Sequence, residues 1–563
     1  MHNSLLTPYE QGNHNQTTSW ADCIAWYQML AARFPGVLQF DQIGVSDMGL
    51  PMHAGVVSAD GIFDRDAIKA AGRPVFFNNN GIHPGEPEGI DACMALVRDF
   101  CVEPARLAAL KHTVLLFIPI YNVDGSVNRN ASSRVNQDGP ESFGFRGNSR
   151  HLDLNRDFAK CDTRAARVFN EHFTYWDPDV MVDTHTSNGA DYSYTMTLIH
   201  TQADKLGGSL GPFLTDTMLP AMFAGMAERG WPTCPYVNPV QDSPDHGIAE
   251  FLETPRFSTG YAALHHTIGF MPETHMLKSF AARYDSMRAL VETALAFTVA
   301  HGATIAALRR VDRANLRSAR RLPVHWAMDA SRPSQFRFEG YAAVYSPSVL
   351  GDYTRLSYDR SAPWERQIAY YNRFPADIEV PAPSAYIVPQ QWIEAIERLQ
   401  WNGVLMERLS ADETRELDYY HIADVSSRAN AYEGHMFHDE VVLERRRAPL
   451  QLRAGDYLVR LDQDQARYAV EMLEPQGHDS YFRWGLFNSV LEKKEAYSDY
   501  VFEDHAAELL RDEPALQVKF AAWKLANPAL LANQNAVLDF IFAHCERYRE
   551  PEWRRYPVFM VMD

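Results

Sequence analysis

Over its first 305 residues the chain alternates two kinds of segment. The first kind is short and strand-like: "MHAGVVS" (52–58), "PVFFNN" (74–79), "HTVLLFIPI" (112–120), "DVMVDTH" (179–185), "SYTMTLIH" (193–200) and "TIGFMPETH" (267–275). The second kind brings its apolar residues back at helical spacing. "TTSWADCIAWYQMLAARFPG" (17–36) opens on Thr and Ser and stops at Pro-Gly, and "PEGIDACMALVRDF" (87–100) opens on Pro and acids. "TRAARVFNEHF" (163–173) and a long stretch from about Met276 to about His301 continue the pattern. Strands buried on both faces with helices between them predict an α/β layer, a mixed and mostly parallel sheet flanked by helices.

Beyond about Arg309 the texture changes. "QFRFEGYAAVYS", "AYIVP" and "DYLVRLDQ" predict strands, while "PQQWIEAIERLQWNG" and the segment from about Asp504 to about Arg549 predict helices. The basic stretch "ALRRVDRANLRSARRLP" reads as a boundary, giving a first domain at 1–305 and a C-terminal α+β accessory region at 306–563. "ERRRAP" and "LEKKEAY" read as solvated charge runs, "GHDSY" (477–481) as a turn and "LGGSLGP" as a loop.

Composition narrows the function. A chain of 563 residues with 46% hydrophobic and 22% charged residues has room for more than one domain and a large core. Its net charge of −19 excludes a general nucleic-acid binder and disfavours an anionic membrane surface. The six cysteines form no CxxC pair, so neither a disulfide framework nor a thiolate metal site is expected. The opening residues show no basic region followed by an apolar one, and no apolar run approaches membrane-spanning length. A cytoplasmic location is the expectation.

The chemistry gathers where strands end. "NNNGIHPGEPEG" (78–89) puts His83 and Glu86 straight after the strand "PVFFNN", with Gly81, Pro84 and Gly85 bending the turn; His185 ends "DVMVDTH" and Glu273 lies near the end of "TIGFMPETH". Open α/β sheets collect ligands outside the carboxyl ends of their strands. Two histidines and a carboxylate make a three-ligand zinc set that leaves one position for water. Glu273, the remaining strand-end acid, suits a general base. Glu88 reads as a first-turn helix acid, and His151, His265, His266 and His275 as structural histidines.

"GIHPGEPEG", "LDLNRDF", "DTHTSNG" and "ETHMLK" come in the order and approximate spacing of the M14 zinc carboxypeptidase family, which the chain resembles over roughly residues 30 to 300. The resemblance implies a zinc site of His83, Glu86 and His185, with Glu273 as base. It implies that Asn155 and Arg156 grip a substrate's free carboxylate, and that Arg146 in "FRGNSRHLDLNR" steadies the oxyanion. Asp153 is implied to orient a zinc-bound imidazole, His83 and His185 both remaining open. "PIYNVDG" resembles the family's Asn-Pro-Asp-Gly stretch, with Val123 for Pro. Tyr261 in "STGYAALHH" corresponds to the substrate-capping tyrosine, and Arg256 falls near the specificity residues, which would favour acidic side chains.

The function this implies is zinc-dependent carboxypeptidase action on a peptide. Two alternatives share the superfamily: an N-acyl-amino-acid deacylase and a murein-peptide amidase, the latter from the spacing of Arg146. A peptide-binding module without turnover is the alternative from another class. The stretch "GDYLVRLDQDQARYAVEMLEP…DSYFRWGLFN" resembles the accessory region of longer bacterial members, which implies no function. Oligomeric state is left open.

Overall fold

The computed structural model describes residues 5–548 and 550–562. The first four residues of the N-terminal stretch, residue 549 at the expected end of the last helical segment, and residue 563 lie outside the described residues. The described residues form a nine-stranded mixed sheet. Its strands are β1 (Leu38–Val45), β2 (Pro51–Val57), β3 (Val75–Asn79), β4 (Val114–Ile118), β5 (Val180–Asp183), β6 (His185–Ser187), β7 (Met196–His200), β8 (Thr233–Pro235) and β10 (Ile268–His275). The order is β1-β2-β4-β3-β5-β10-β7-β8, with β6 also on β10. The central strands β4, β3, β5 and β10 run parallel, and antiparallel pairings lie to either side.

Each expected strand of this part is found, with one difference of consequence. "DVMVDTH" breaks at Thr184, and His185 begins β6, which pairs parallel with β10 so that His185 sits opposite Glu273. The break follows from side-chain competition: Thr184 donates its backbone N–H to Asn79 O, and its hydroxyl to Asn80 Oδ1 at 3.1 Å. Asn79 in turn donates to Asp183 at 2.9 Å. Asn79, which ends β3, and Asn80 after it therefore tie the buried strand ends together.

Helices α1 (Trp20–Arg33), α2 (Glu88–Val102), α3 (Arg164–Trp176), α4 (Ser258–Leu264) and α5 (Phe280–Arg317) cover the sheet. Ser19 and Thr163 cap α1 and α3 through their hydroxyls, as their sequence positions require. Helix α5 runs 38 residues, past the expected end near His301, so the basic stretch read as a boundary is largely helix and position 305/306 falls inside it. The arginines there face inward: Arg309 donates to Asp179 at 2.7 Å and Arg313 to Asp177 at 2.7 Å. One window of α5 is also long and apolar enough, by length and composition, to cross a membrane, against the sequence reading; half of that window is buried inside the protein. The helix packs on α2 and on the sheet.

The remaining residues are α+β, as expected. A long hairpin, β12 (Ser334–Pro347) with β13 (Thr354–Tyr371), joins β9 (Ile248–Ala249). Strands β11 (Arg321–Trp326) and β14 (Ala376–Pro381) pair with each other. A six-stranded sheet takes β15 (Ala385–Val388), β16 (Glu407–Arg408), β17 (Glu413–Ser427), β18 (His438–Leu452), β19 (Tyr457–Arg460) and β20 (Phe559–Val561). Helices α6 (Ile393–Trp401), α7 (Ala466–Leu473), α8 (Asp499–Asp512), α9 (Pro514–Ala526) and α10 (Gln534–His544) complete it. One buried apolar cluster runs from Phe77, Phe169 and Tyr261 through Leu322 and Tyr386 to Tyr468 and Tyr556, so the two parts share a core. "ERRRAP" lies within β18, where Arg445 donates to Asp418 at 2.6 Å. The six cysteines are free and buried.

Candidate metal centre and active site

The turn after β3 is built to bring two ligands inward. Gly81 has φ +65°, a left-handed conformation, and a β-carbon there would meet Ile90 at 3.0 Å. Glu86 N–H then donates to His83 O at 2.8 Å and closes the turn that carries both ligands. His185 arrives from β6, and one donor atom from each of His83, Glu86 and His185 lies within 4.8 Å of the others.

Both imidazoles are oriented. Nε2 of His83 lies 2.9 Å from Asp153 Oδ1, and Nε2 of His185 lies 3.0 Å from Asp183 Oδ2. Their Nδ1 atoms face Glu86, at 3.3 Å from Oε1 and 3.1 Å from Oε2 respectively. Anchoring the outer nitrogen on a carboxylate fixes the tautomer and makes the inner one a better donor to a metal. Nδ1 of His83 is buried with no hydrogen-bond partner among the described residues, which fits a metal-ligand atom. Two imidazole nitrogens and one carboxylate fit zinc. Asp153 thus orients His83, settling the choice that the sequence left open.

Charge around the centre is uneven. Burial works to raise the Glu86 pKa, but Arg134, at 2.7 Å, and the two histidines outweigh it and hold the carboxyl well below its usual range. Asp153 is likewise held low against burial by His83 and Arg146, the latter donating to it at 2.9 Å. Glu273 goes the other way: burial pushes it up to about 8, with His185 opposing. Its Oε2 is buried without a partner among the described residues. A carboxyl so placed is ready to exchange a proton with a bound reactant.

A cavity of about 150 Å³ joins these groups. His83, Glu86, His185, Glu273, Arg146, Asn155 and Arg156 all line it, so seven of the eight residues singled out in the sequence meet at one place. Asn155 and Arg156 sit on a short 3-10 turn (Leu154–Arg156) capped by the Asp153 side chain. The Asn155 side-chain oxygen accepts from Ser258 N–H at 3.2 Å, and the Arg156 guanidinium lies over the Phe257 ring at 4.4 Å. Arg146 reaches across to Glu86 at 3.5 Å.

Tyr261 is the correction. It lies on α4, is 0% exposed, and donates its hydroxyl to Asn402 at 2.6 Å. Phe158 and Phe173 pack against it, so the apolar face of a helix carries it into the core and away from the cavity. Arg256 is also elsewhere: it donates to Asp479 at 2.7 Å inside a ring of Tyr432, Phe437 and Trp484. Its partner Asp479 makes the turn "GHDSY" a buried contact. Glu88 is a helix acid, as expected, and is paired with Arg283 at 2.5 Å.

Sequence reasoning missed Arg134, Tyr236, Glu253 and Glu433. Tyr236 and Glu253 line the cavity from segments with no regular periodicity, and Arg134 comes from the polar stretch "NASSRVNQDG". Glu433 belongs to the accessory region and reaches the backbone of Asp153. None carries a spacing signal.

Residues 23–194 match the model of the zinc carboxypeptidase family. Carboxypeptidase 2 of Trichophyton rubrum is 22% identical over 420 residues, 72% of this chain and 72% of the relative. Carboxypeptidase 2 of Trichophyton equinum is 23% identical over 426 residues, again 72% of each. The crystal structure of carboxypeptidase A from Helicoverpa armigera aligns with a TM-score of 0.38 at 14% identity, over 54% of this chain and 80% of that one. The family match takes in His83, Glu86, Arg146, Asn155, Arg156 and His185, so this part of the chain is similar to the M14 zinc carboxypeptidases.

Proposed function

We propose that the protein removes the C-terminal residue of a peptide. Zinc held by His83, Glu86 and His185 would polarise the scissile carbonyl and acidify a water. Glu273 takes the proton from the attacking water and delivers it to the departing amine, so the carboxyl ends the cycle as it began. Arg146 faces the oxygen on which negative charge develops and binds it more tightly in the transition state than in the ground state. Arg156 offers its planar fork to the terminal carboxylate while Phe257 keeps the guanidinium flat, and Asn155 adds an amide donor beside it.

The observation that carries this reading is the parallel register of β6 on β10. It sets Glu273 opposite His185, in the same cavity as Arg156. The test compares the zinc-loaded protein on a peptide with a free C-terminus and on the same peptide amidated. Cleavage of the free form, and its loss on amidation or in Arg156→Lys, supports the reading. Turnover confined to N-acyl amino acids or to murein peptide replaces it with a deacylase or an amidase. Binding without turnover replaces it with a peptide-binding module.

A further inference from the structure

We infer that Glu253 sets the side-chain preference of this site, its carboxylate receiving the cationic end of a lysine or arginine at the substrate's C-terminus. The inference rests on the carboxypeptidase reading above. Three acids line the cavity: Glu86 faces the two histidines, Glu273 is the base, and Glu253 bonds to none of these, although its charge helps raise the Glu273 carboxyl.

Glu253 is 2% exposed, and its surroundings supply it poorly. Oε2 accepts the Thr259 hydroxyl at 2.5 Å; Oε1 has no hydrogen-bond donor among the described residues. A buried carboxylate normally finds a cation or several donors, because leaving one unpaired is costly. The charged groups that face it include His185, Arg156, Asp183 and Glu273. His185 is engaged between Glu86 and Asp183, and Arg156, which donates to Asn155 O at 2.7 Å, is taken up by the terminal carboxylate in the proposed binding mode. Asp183 adds like charge. Burial pushes the Glu253 carboxyl up to about 7, as expected of an acid short of a partner.

The rest of the lining supplies the complementary part. Ile199, Tyr236, Phe251, Phe257 and Met271 form apolar walls. Lysine and arginine carry a methylene stem that lies well against such walls and a cation that must end on something polar. A terminal lysine or arginine has an anion at one end for Arg156 and a cation at the other for Glu253. A terminal leucine would leave the Glu253 carboxyl buried and unpaired, and a terminal glutamate would bring two acids together. The preference is opposite in sign to the one implied by the position of Arg256, which lies outside the cavity.

The experiment uses the zinc-loaded full chain and a matched series of benzoylglycyl substrates ending in Arg, Lys, Leu, Phe or Glu. The expected result is a kcat/KM for Arg and Lys above that for Leu and Phe by about 100-fold, since a site built to bond a polar group rejects analogues lacking it. Glu253→Gln is expected to bring the Arg-to-Leu ratio close to one. The wild-type series decides the matter even if that variant does not fold. Faster hydrolysis of Leu, Phe or Glu than of Arg and Lys overturns the inference and leaves the carboxypeptidase reading standing. Hydrolysis of no member of the series overturns both.

Discussion

Oε2 of Glu433 accepts the backbone N–H of Asp153 at 2.9 Å, joining two residues 280 positions apart. Asp153 holds His83 and Arg146 with its side chain and caps the turn bearing Asn155 and Arg156. The C-terminal region therefore braces the point from which His83 and the turn bearing Asn155 and Arg156 are both positioned. His435 makes a second contact between the same two segments, its Nε2 lying 2.6 Å from Asp162. Glu433 has φ +49°, a backbone conformation that a non-glycine residue keeps only when its surroundings hold it there.

Glu433→Ala is expected to lower kcat/KM by about tenfold, the effect of one lost hydrogen bond on the alignment of the turn. Glu433→Gln keeps an acceptor and is expected to recover most of the activity. Steady-state kinetics on both variants, with melting temperatures to show that the fold is kept, checks this.

Glu86 and Glu88 are two residues apart and should respond differently. Glu86→Ala removes a donor from the metal set and is expected to abolish stoichiometric zinc, measured by elemental analysis of the dialysed protein. Glu88→Ala leaves the three donors in place and should retain zinc. It takes the carboxylate partner from the Arg283 guanidinium, which is 0% exposed and keeps its bonds to the carbonyls of Asp138 and Gly139, and is expected to cost about 3 kcal/mol of stability. Zinc retained by Glu86→Ala would remove that residue from the ligand set.

Tyr261→Phe should leave kcat/KM within about twofold, because the hydroxyl faces Asn402 in the core. Stability is expected to fall by about 1–3 kcal/mol, since Asn402 loses a buried donor. A fall in kcat/KM without loss of stability would restore the capping role to this tyrosine.

Much of the fold was legible because its strands are buried on both faces and its helices carry one apolar face, and those patterns need no tertiary information. Seven of the eight residues singled out meet in one cavity, and their order along the chain was enough to expect that. Tyr261 was misplaced because motif position gives proximity along the chain, whereas the apolar face of α4 decides where its ring goes. The extent of α5 was hidden because Arg309 and Arg313 lie in a basic stretch that reads as a boundary until Asp177 and Asp179 are seen beside them. Glu253 and Glu433 lie in segments without periodicity, and only folding brings them to the site.

Glu474 gives a pH test remote from the metal centre. Burial raises its carboxyl from 4.5 to about 7, and its Oε1 accepts the Tyr386 hydroxyl at 2.6 Å. Between those pH values the folded protein keeps a proton that the unfolded chain has released. This contribution to stability is therefore full below pH 4.5 and is lost as pH rises through 7. Glu474→Gln cannot lose the proton. Its stability relative to wild type is expected to improve by up to about 3 kcal/mol between pH 4.5 and pH 8, read from denaturant unfolding at each pH. An unchanged difference would mean that Glu474 titrates alike in both states.

The most direct test of the central claim is a mass-spectrometric survey of zinc-loaded wild type and Glu273→Gln on a mixed peptide library, with N-acyl amino acids and murein tripeptide included. The expected result is stepwise loss of C-terminal residues by wild type, absent in Glu273→Gln although zinc remains bound. Equal trimming by the two proteins, or release only from the acyl amino acids or the murein peptide, would contradict it.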